Sequence, residues 1–500
     1  MLKATNITIT KNHKASQKLA TLVLAAFFGG CTSMTKSNPW QTMARNDLKA
    51  MHYLISKHHP GPFDNQNKEF KDWLTKGYEQ AVEKAKKVNN YGGYYATQKF
   101  FANGFKDGHL HYFINLKPER IKWPGFTVAK RGDNYIVHSS SDKKGPKKGW
   151  KVVSCDGKGP DKLMKSNVFP FNGNEDLAAH WVKYAPQIFL DSDNPFISVP
   201  QTCEFETGKG KKEIKLSWRS ISAKNMEDKL VKAAFGPRPK QSYSHKGGVV
   251  WMTVPTMGPS DNQANELEKM IARLPKARKA KIIVFDVRGN TGGNSEWGTK
   301  ITRSLYGRDF ADPILNKEPE KKSYIEWRVS KNNIKHLDDV LPYLKTRFGE
   351  NSEIYRVFNA VTKGMKKAPS DQLYRQPDLD DDKSEKSGTK KAKNPVKAKV
   401  FFLTDGKCAS ACLDFADNIL EMPGVIHVGS PTSADTVYMD VRSEELPSTV
   451  ARLSFALKVY RNRKRANNEP YIPKHVWDGD MWDTKKLRAW IKALAGLKTK

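Results

Sequence analysis

Ser410 stands in the run Val400-Phe401-Phe402-Leu403-Thr404-Asp405-Gly406-Lys407-Cys408-Ala409-Ser410-Ala411. The apolar residues predict a buried strand, Asp405-Gly406 a turn, and the stripe Cys412, Leu413, Ala416, Ile419 and Leu420 a helix. Ser410 then falls in the first helical turn, where the N–H of Ala411 has no partner within the helix. A serine there has two readings. It caps the helix through its hydroxyl, or it attacks a carbonyl carbon while the adjacent N–H stabilises the oxyanion. A second corner is built alike: Phe285-Asp286-Val287-Arg288-Gly289-Asn290-Thr291-Gly292-Gly293. It follows an apolar run, Ile282 to Val287, of the kind buried on both faces. A helix is expected from near Asn294. Glycines let backbone N–H groups converge on one point, and a helix N-terminus adds positive potential. Such a corner suits an oxyanion or a phosphate, and serves equally as a tight turn.

Stepping outward, residues 40–115 carry helical periodicity, with Leu48, Met51, Leu54 and Ile55 on one face and a break at His58-His59-Pro60-Gly61-Pro62. From Trp123 to Trp218 the period is two, with an Asp156-Gly157 turn between alternating runs. Lys143, Lys144, Lys147 and Lys148 crowd one loop there. From Gly247 the order is strand, helix, strand. The expected division is a leader over 1–30, a helical region over 31–118, a β-rich domain over 119–225 and a core over 226–500. A helical insertion and a low-complexity, disordered loop interrupt the core at about 335–397.

The chain has 500 residues and a net charge of +33. That excludes an acidic solvating protein and favours anionic partners without choosing among them. Lys3, Lys11, Lys14 and Lys18 precede an apolar stretch, Leu19 to Phe28, too short to span a bilayer. With Gly29-Gly30-Cys31 this resembles a bacterial lipoprotein signal, with lipid on the Cys31 sulfur; Phe28 and Gly29 depart from the preferred residues. Thr32, in place of an aspartate, resembles outer-membrane lipoproteins. The expected location is the cell envelope, anchored in the outer membrane and facing the periplasm, with no nucleic acid as partner. Export sets an oxidising compartment. Cys155 and Cys203 are expected to pair, whereas Cys408 and Cys412 are read as small buried thiols.

The two corners together resemble the tail-specific, or C-terminal-processing, serine proteases. Asp286 to Gly293 is similar to their Asp-Leu-Arg-Gly-Asn-x-Gly-Gly motif, and Ala409-Ser410-Ala411 to their nucleophile turn. The resemblance implies an α+β fold with a crotonase-like ββα superhelical core. Gly149-Trp150-Lys151-Val152 and Asp156-Gly157 resemble a PDZ module, which would receive free C-termini of polypeptide substrates. It implies Ser410 as nucleophile, with the N–H groups of Ala411 and of Gly292 or Gly293 as the oxyanion hole. One branch of the family uses a lysine about 25 residues after the serine. Asp435 stands there, and no lysine occurs between Cys408 and Leu457. The tricorn-like branch uses a histidine, and Asp107-Gly108-His109-Leu110-His111 resembles its motif. His109 is the expected base and His427 the fallback. In a strand His109 and His111 would share a face, but no cysteine or acidic cluster completes a zinc site, so neither metal nor cofactor is expected. That branch's third residue, a glutamate six before a proline, finds Asn467 before Pro473, with Glu469 displaced by two; Asp435 and Glu469 both stay candidates. The implied activity is a serine endopeptidase acting on envelope or periplasmic polypeptides. The rival is a non-catalytic peptide- or lipid-binding protein of the same fold.

Overall fold

The structure is a computed structural model describing residues 38–116, 120–317, 322–379 and 392–497. The expected leader, Cys31 and residues 380–391 of the low-complexity tract lie outside the described residues.

The N-terminal helices follow from start signals and apolar faces. Helix α1 (Pro39–His58) begins at Asn38, whose side chain accepts the Trp40 N–H, with proline at its first position. It ends where His59-Pro60 cannot continue it. Helices α2 (Lys68–Ala85) and α3 (Tyr91–Asn103) are capped by Asn67 and Asn90. Leu48, Met51 and Ile55 pack with Phe70, Phe101 and Phe105 between them. A turn through Asp107 to Leu110 then leads into strand β1 (His111–Ile114). This strand pairs antiparallel with Ala451–Arg461, placing His111 opposite Ser454. The helical region is thereby tied into the core sheet immediately after His109.

The β-rich region is a five-stranded antiparallel sheet, Phe126–Arg131, Asn134–Ser140, Lys151–Cys155, Thr202–Thr207 and Gly210–Lys215 in sequence order. Cys155 lies directly opposite Cys203, and the two form a disulfide. Phe126, Phe189 and Phe205 fill its core.

The site is carried by a six-stranded sheet. Its order is His475–Val476, Val425–Gly429, Lys399–Thr404, Ile282–Asp286, Val249–Thr253 and Ser242–Lys246. All neighbours are parallel except the last pair. Both faces are covered, which explains the uninterrupted apolar strands. Helices Asp261–Ile271, Glu296–Tyr306 and Ala411–Ile419 cover one face. Leu487 and Ile491 of the helix Thr484–Leu494 pack on the other. Parallel strands turn their carboxyl ends the same way, and both glycine corners leave from those ends.

A second sheet of five strands joins β1, Ala451–Arg461, Tyr324–Arg328 and Leu373–Arg375, with Tyr438–Glu445 also on Ala451–Arg461. The expected helical insertion is two helices, Lys331–Phe348 and Glu353–Lys367. They share a core with Trp327 of this sheet, so they are part of its packing.

Candidate active site

The first corner is spent on construction. Asp286 is fully buried and pairs with Arg288, whose Nη2 lies 2.6 Å from Oδ2 and Nε 2.8 Å from Oδ1. Trp251 Nε1–H donates to the same carboxylate at 3.0 Å. The Asn290 side chain accepts the Gly292 N–H and donates to the Val254 carbonyl, both at 2.9 Å. The N–H of Gly292 is therefore occupied and is unavailable to an oxyanion. The contribution of Gly292 is steric: a Cβ there would lie 2.7 Å from Ser410 Cβ, and its φ is +104°. Gly293 (φ +138°) keeps an N–H with no hydrogen-bond partner among the described residues.

The second corner holds Ser410 at φ 54°, ψ −130°, a sparsely populated conformation for a residue with a side chain. Its carbonyl accepts the N–H groups of Leu413 and Asp414, which starts the helix Ala411–Ile419. Its hydroxyl makes no capping bond, so the cap reading does not hold. Ala411 presents its N–H at the open end of this helix. Two features fix the turn. Cys408 and Cys412 are bonded to each other, bracketing Ser410. This corrects the expectation of two free thiols: a spacing of four across a helix start brings both sulfurs to one side. Asp435 supplies the second, accepting the Ser410 N–H at 2.9 Å. The two corners are also tied to each other, because Asp405 accepts the Gly289 N–H at 2.9 Å. Burial pushes the Asp405 carboxyl above its ordinary value, against the pull of that bond.

His109 reaches this point through a buried relay. His59 Nδ1 accepts the Gly61 N–H, so its proton sits on Nε2 and is donated to Asp107 Oδ2 at 3.0 Å. Asp107 Oδ1 accepts the His109 N–H at 2.8 Å and the Thr436 hydroxyl at 2.7 Å. Burial alone would raise Asp107, but the hydrogen bond from His59 holds it below its ordinary value. The His109 turn is thus fastened to Thr436, next to the Asp435 that fastens Ser410. His109 and Ser410 line one cleft of about 610 Å³, together with Ala409, Gly293, Asp435, His111 and Asn468.

The other candidates fall elsewhere. Asp435 does not hold the His109 ring; its carboxylate is used by the Ser410 N–H and by Arg465 Nη1 at 3.3 Å. Glu469 is exposed and accepts the Ala466 N–H of its own turn. His109 Nδ1 is buried with no hydrogen-bond partner among the described residues. His427 Nε2 and Thr404 Oγ1 share a hydrogen bond of 2.8 Å, and the same hydroxyl lies 2.7 Å from the Ser430 carbonyl. His427 lies outside the lining of the cleft, and burial pushes it down to about 4. Among the described residues no group of three His, Cys, Asp or Glu side chains is placed to hold a metal ion. No helix among them is long and apolar enough to cross a membrane.

Sequence reasoning missed Arg465. Burial works against its charge, but Asp417, Asp435 and Asp414 surround it and raise its pKa. It braces the helix Ala411–Ile419 against the Asp435 segment. The available signal was Asp414 and Asp417 at helical spacing, two acids on an otherwise apolar helix. In the sequence His59 reads only as part of a helix break.

Residues 248–471 match the model of peptidase family S41. The matched segment holds both corners and Ser410 and supports a relationship to the tail-specific proteases, a family that implies a serine-type peptidase acting on polypeptides. Among solved structures, mature CPAF complexed with lactacystin superposes with a TM-score of 0.57 at 14% identity, covering 91% of this chain and 99% of that one. A CPAF mutant gives a TM-score of 0.58 at 13% identity, covering 92% and 99%. At such identities the likeness concerns the α+β fold alone. No curated protein matches the chain.

Proposed function

We propose that this protein is an exported serine endopeptidase of the Ser/His kind. The observation that carries the reading is Ser410: a strained serine with no capping role, beside the open N–H of Ala411 and in one cleft with His109. Ser410 Oγ attacks the peptide carbonyl carbon and its proton passes to His109. The N–H groups of Ala411 and Gly293 hold the oxyanion. His109 then protonates the leaving amine, and water releases the acyl group from Ser410 by the reverse steps. Asp435 positions the nucleophile in this scheme and Asp107 positions the base. The core is read as crotonase-like and residues 119–225 as a PDZ-like module for substrate C-termini. The setting is the periplasmic face of the outer membrane, with Cys31 lipid-anchored, where envelope polypeptides are the substrates.

A fluorophosphonate probe, with the adduct mapped by mass spectrometry, tests this reading. Labelling is expected at Ser410 and is lost in His109→Ala. Ser410→Ala should lower peptidase turnover by roughly a thousandfold or more. Retained turnover in that variant would remove Ser410 as nucleophile. The unpartnered Nδ1 of His109 favours a second reading, a peptide-binding protein of the same fold, which would bind peptides and leave Ser410 unlabelled.

A further inference from the structure

The cleft that holds Ser410 is one-sided in charge. Its lining includes Lys99, Lys106, Lys183, Lys407 and Arg452, against only Asp107 and Asp435. Both carboxylates are buried and already engaged, Asp107 by His59 and Thr436, Asp435 by Ser410 and Arg465. Lys106 is neutralised by Asp176 at 2.7 Å, and Lys407 donates to the Gly236 carbonyl. Lys99 and Lys183 differ from these. Lys99 stands on α3, and Lys183 on the helix Ala178–Tyr184 of the β-rich region. Neither has an acidic partner among the described residues. Lys183 rests over the ring of Tyr184, 5.0 Å away. Burial lowers Lys99 to about 8, and the charge of Lys183 adds to the shift. Two cations that line one cleft from separate helices, with no acidic partner among the described residues, are an unfinished ion-pair arrangement. The group that would complete it must arrive with a ligand.

We propose that Lys99 and Lys183 form an anion subsite of the catalytic cleft, which takes a carboxylate of the polypeptide substrate. This rests on the peptidase reading for the word substrate, but the subsite itself acts at the binding step. The carboxylate comes from an Asp or Glu side chain or from the chain's free C-terminus. The subsite is separate from the lysine-rich loop at 143–148, which does not line this cleft. It joins the helical region and the β-rich region across the mouth of the core.

The test measures binding to the full chain carrying Ser410→Ala, so that turnover plays no part. Fluorescein-labelled ten-residue peptides of neutral sequence carry one Glu at successive positions, with Gln controls, each with free and amidated C-termini. Fluorescence anisotropy is expected to show at least one carboxylate-bearing peptide binding about tenfold tighter than its neutral control, with the difference shrinking as salt rises. A Glu preference that survives amidation assigns the side chain; a preference only for the free acid assigns the C-terminus. In Lys99→Gln/Lys183→Gln the preference should fall to near unity, and Lys99→Arg/Lys183→Arg should restore it. If the double Gln variant fails to fold, Lys183→Gln alone, at an exposed position, should weaken the same preference severalfold. Equal binding of all peptides, no binding by any, or a preference unmoved by the lysine changes overturns the proposal. Loss of fluorophosphonate labelling would touch only the catalytic reading.

Discussion

The two glycine-rich corners begin alike, each at the end of a buried parallel strand, and end as opposites. The Asp286–Gly293 corner spends its polar side chains on one another and on the neighbouring strand: Asp286 on Arg288 and Trp251, Asn290 on Gly292 and Val254. The Asp405–Ala411 corner is held by Asp435 and the Cys408–Cys412 bridge, and keeps its serine in strain. The longer motif is thus mostly frame, and the shorter one carries the serine proposed as nucleophile. A recognisable motif marks where backbone must be held, and the strained serine stands beside it.

The sharpest way to break this contrast is to attack the frame. Asp286→Asn leaves Arg288 buried without its counter-charge, and should cost about 3–5 kcal/mol of stability. Urea unfolding measures it, and a change below about 1 kcal/mol would mean that the corner is not held by this pair. Gly292→Ala acts where the corners touch, because the new Cβ would press on Ser410 Cβ at 2.7 Å. Turnover of a fluorogenic peptide should fall roughly a hundredfold. An unchanged kcat/KM in a folded variant would separate the corners functionally. The smallest effect concerns Asp405, which links them. Its pKa is raised from 3.8, so its stabilising contribution is complete below that value and is lost as pH rises through the folded value. The stability deficit of Asp405→Asn against wild type should therefore be largest below pH 3.8 and shrink above it. A deficit that grows with pH would reverse the assignment.

Local pattern made both corners, the buried strands and the His109 turn legible. What failed was whatever depends on partners distant in sequence. The Ser410 N–H finds Asp435, and Asp435 finds Arg465, only once three segments have docked. Asp435 stands in the chain where a member of the catalytic set is expected, but its carboxylate is engaged by the Ser410 N–H and by Arg465. The Gly292 N–H reads as an oxyanion donor in the sequence because spacing shows where glycines are, not which N–H groups are already taken. Cys408 and Cys412 at a separation of four are compatible with thiols or a bridge, and only the geometry of the helix start decides. Lys99 and Lys183 carry no pattern at all, because they come to one cleft from different elements.

The anchoring of His109 also sets an order of events during synthesis. Asp107 and the Thr436 hydroxyl that it accepts are 329 residues apart, and β1 pairs with Ala451–Arg461. A nascent chain therefore carries its histidine long before the residues that seat it have been made. On this arrangement the cleft is assembled only after the segment through Ala451–Arg461 has emerged, so a shorter nascent chain carries both corners without a seated histidine.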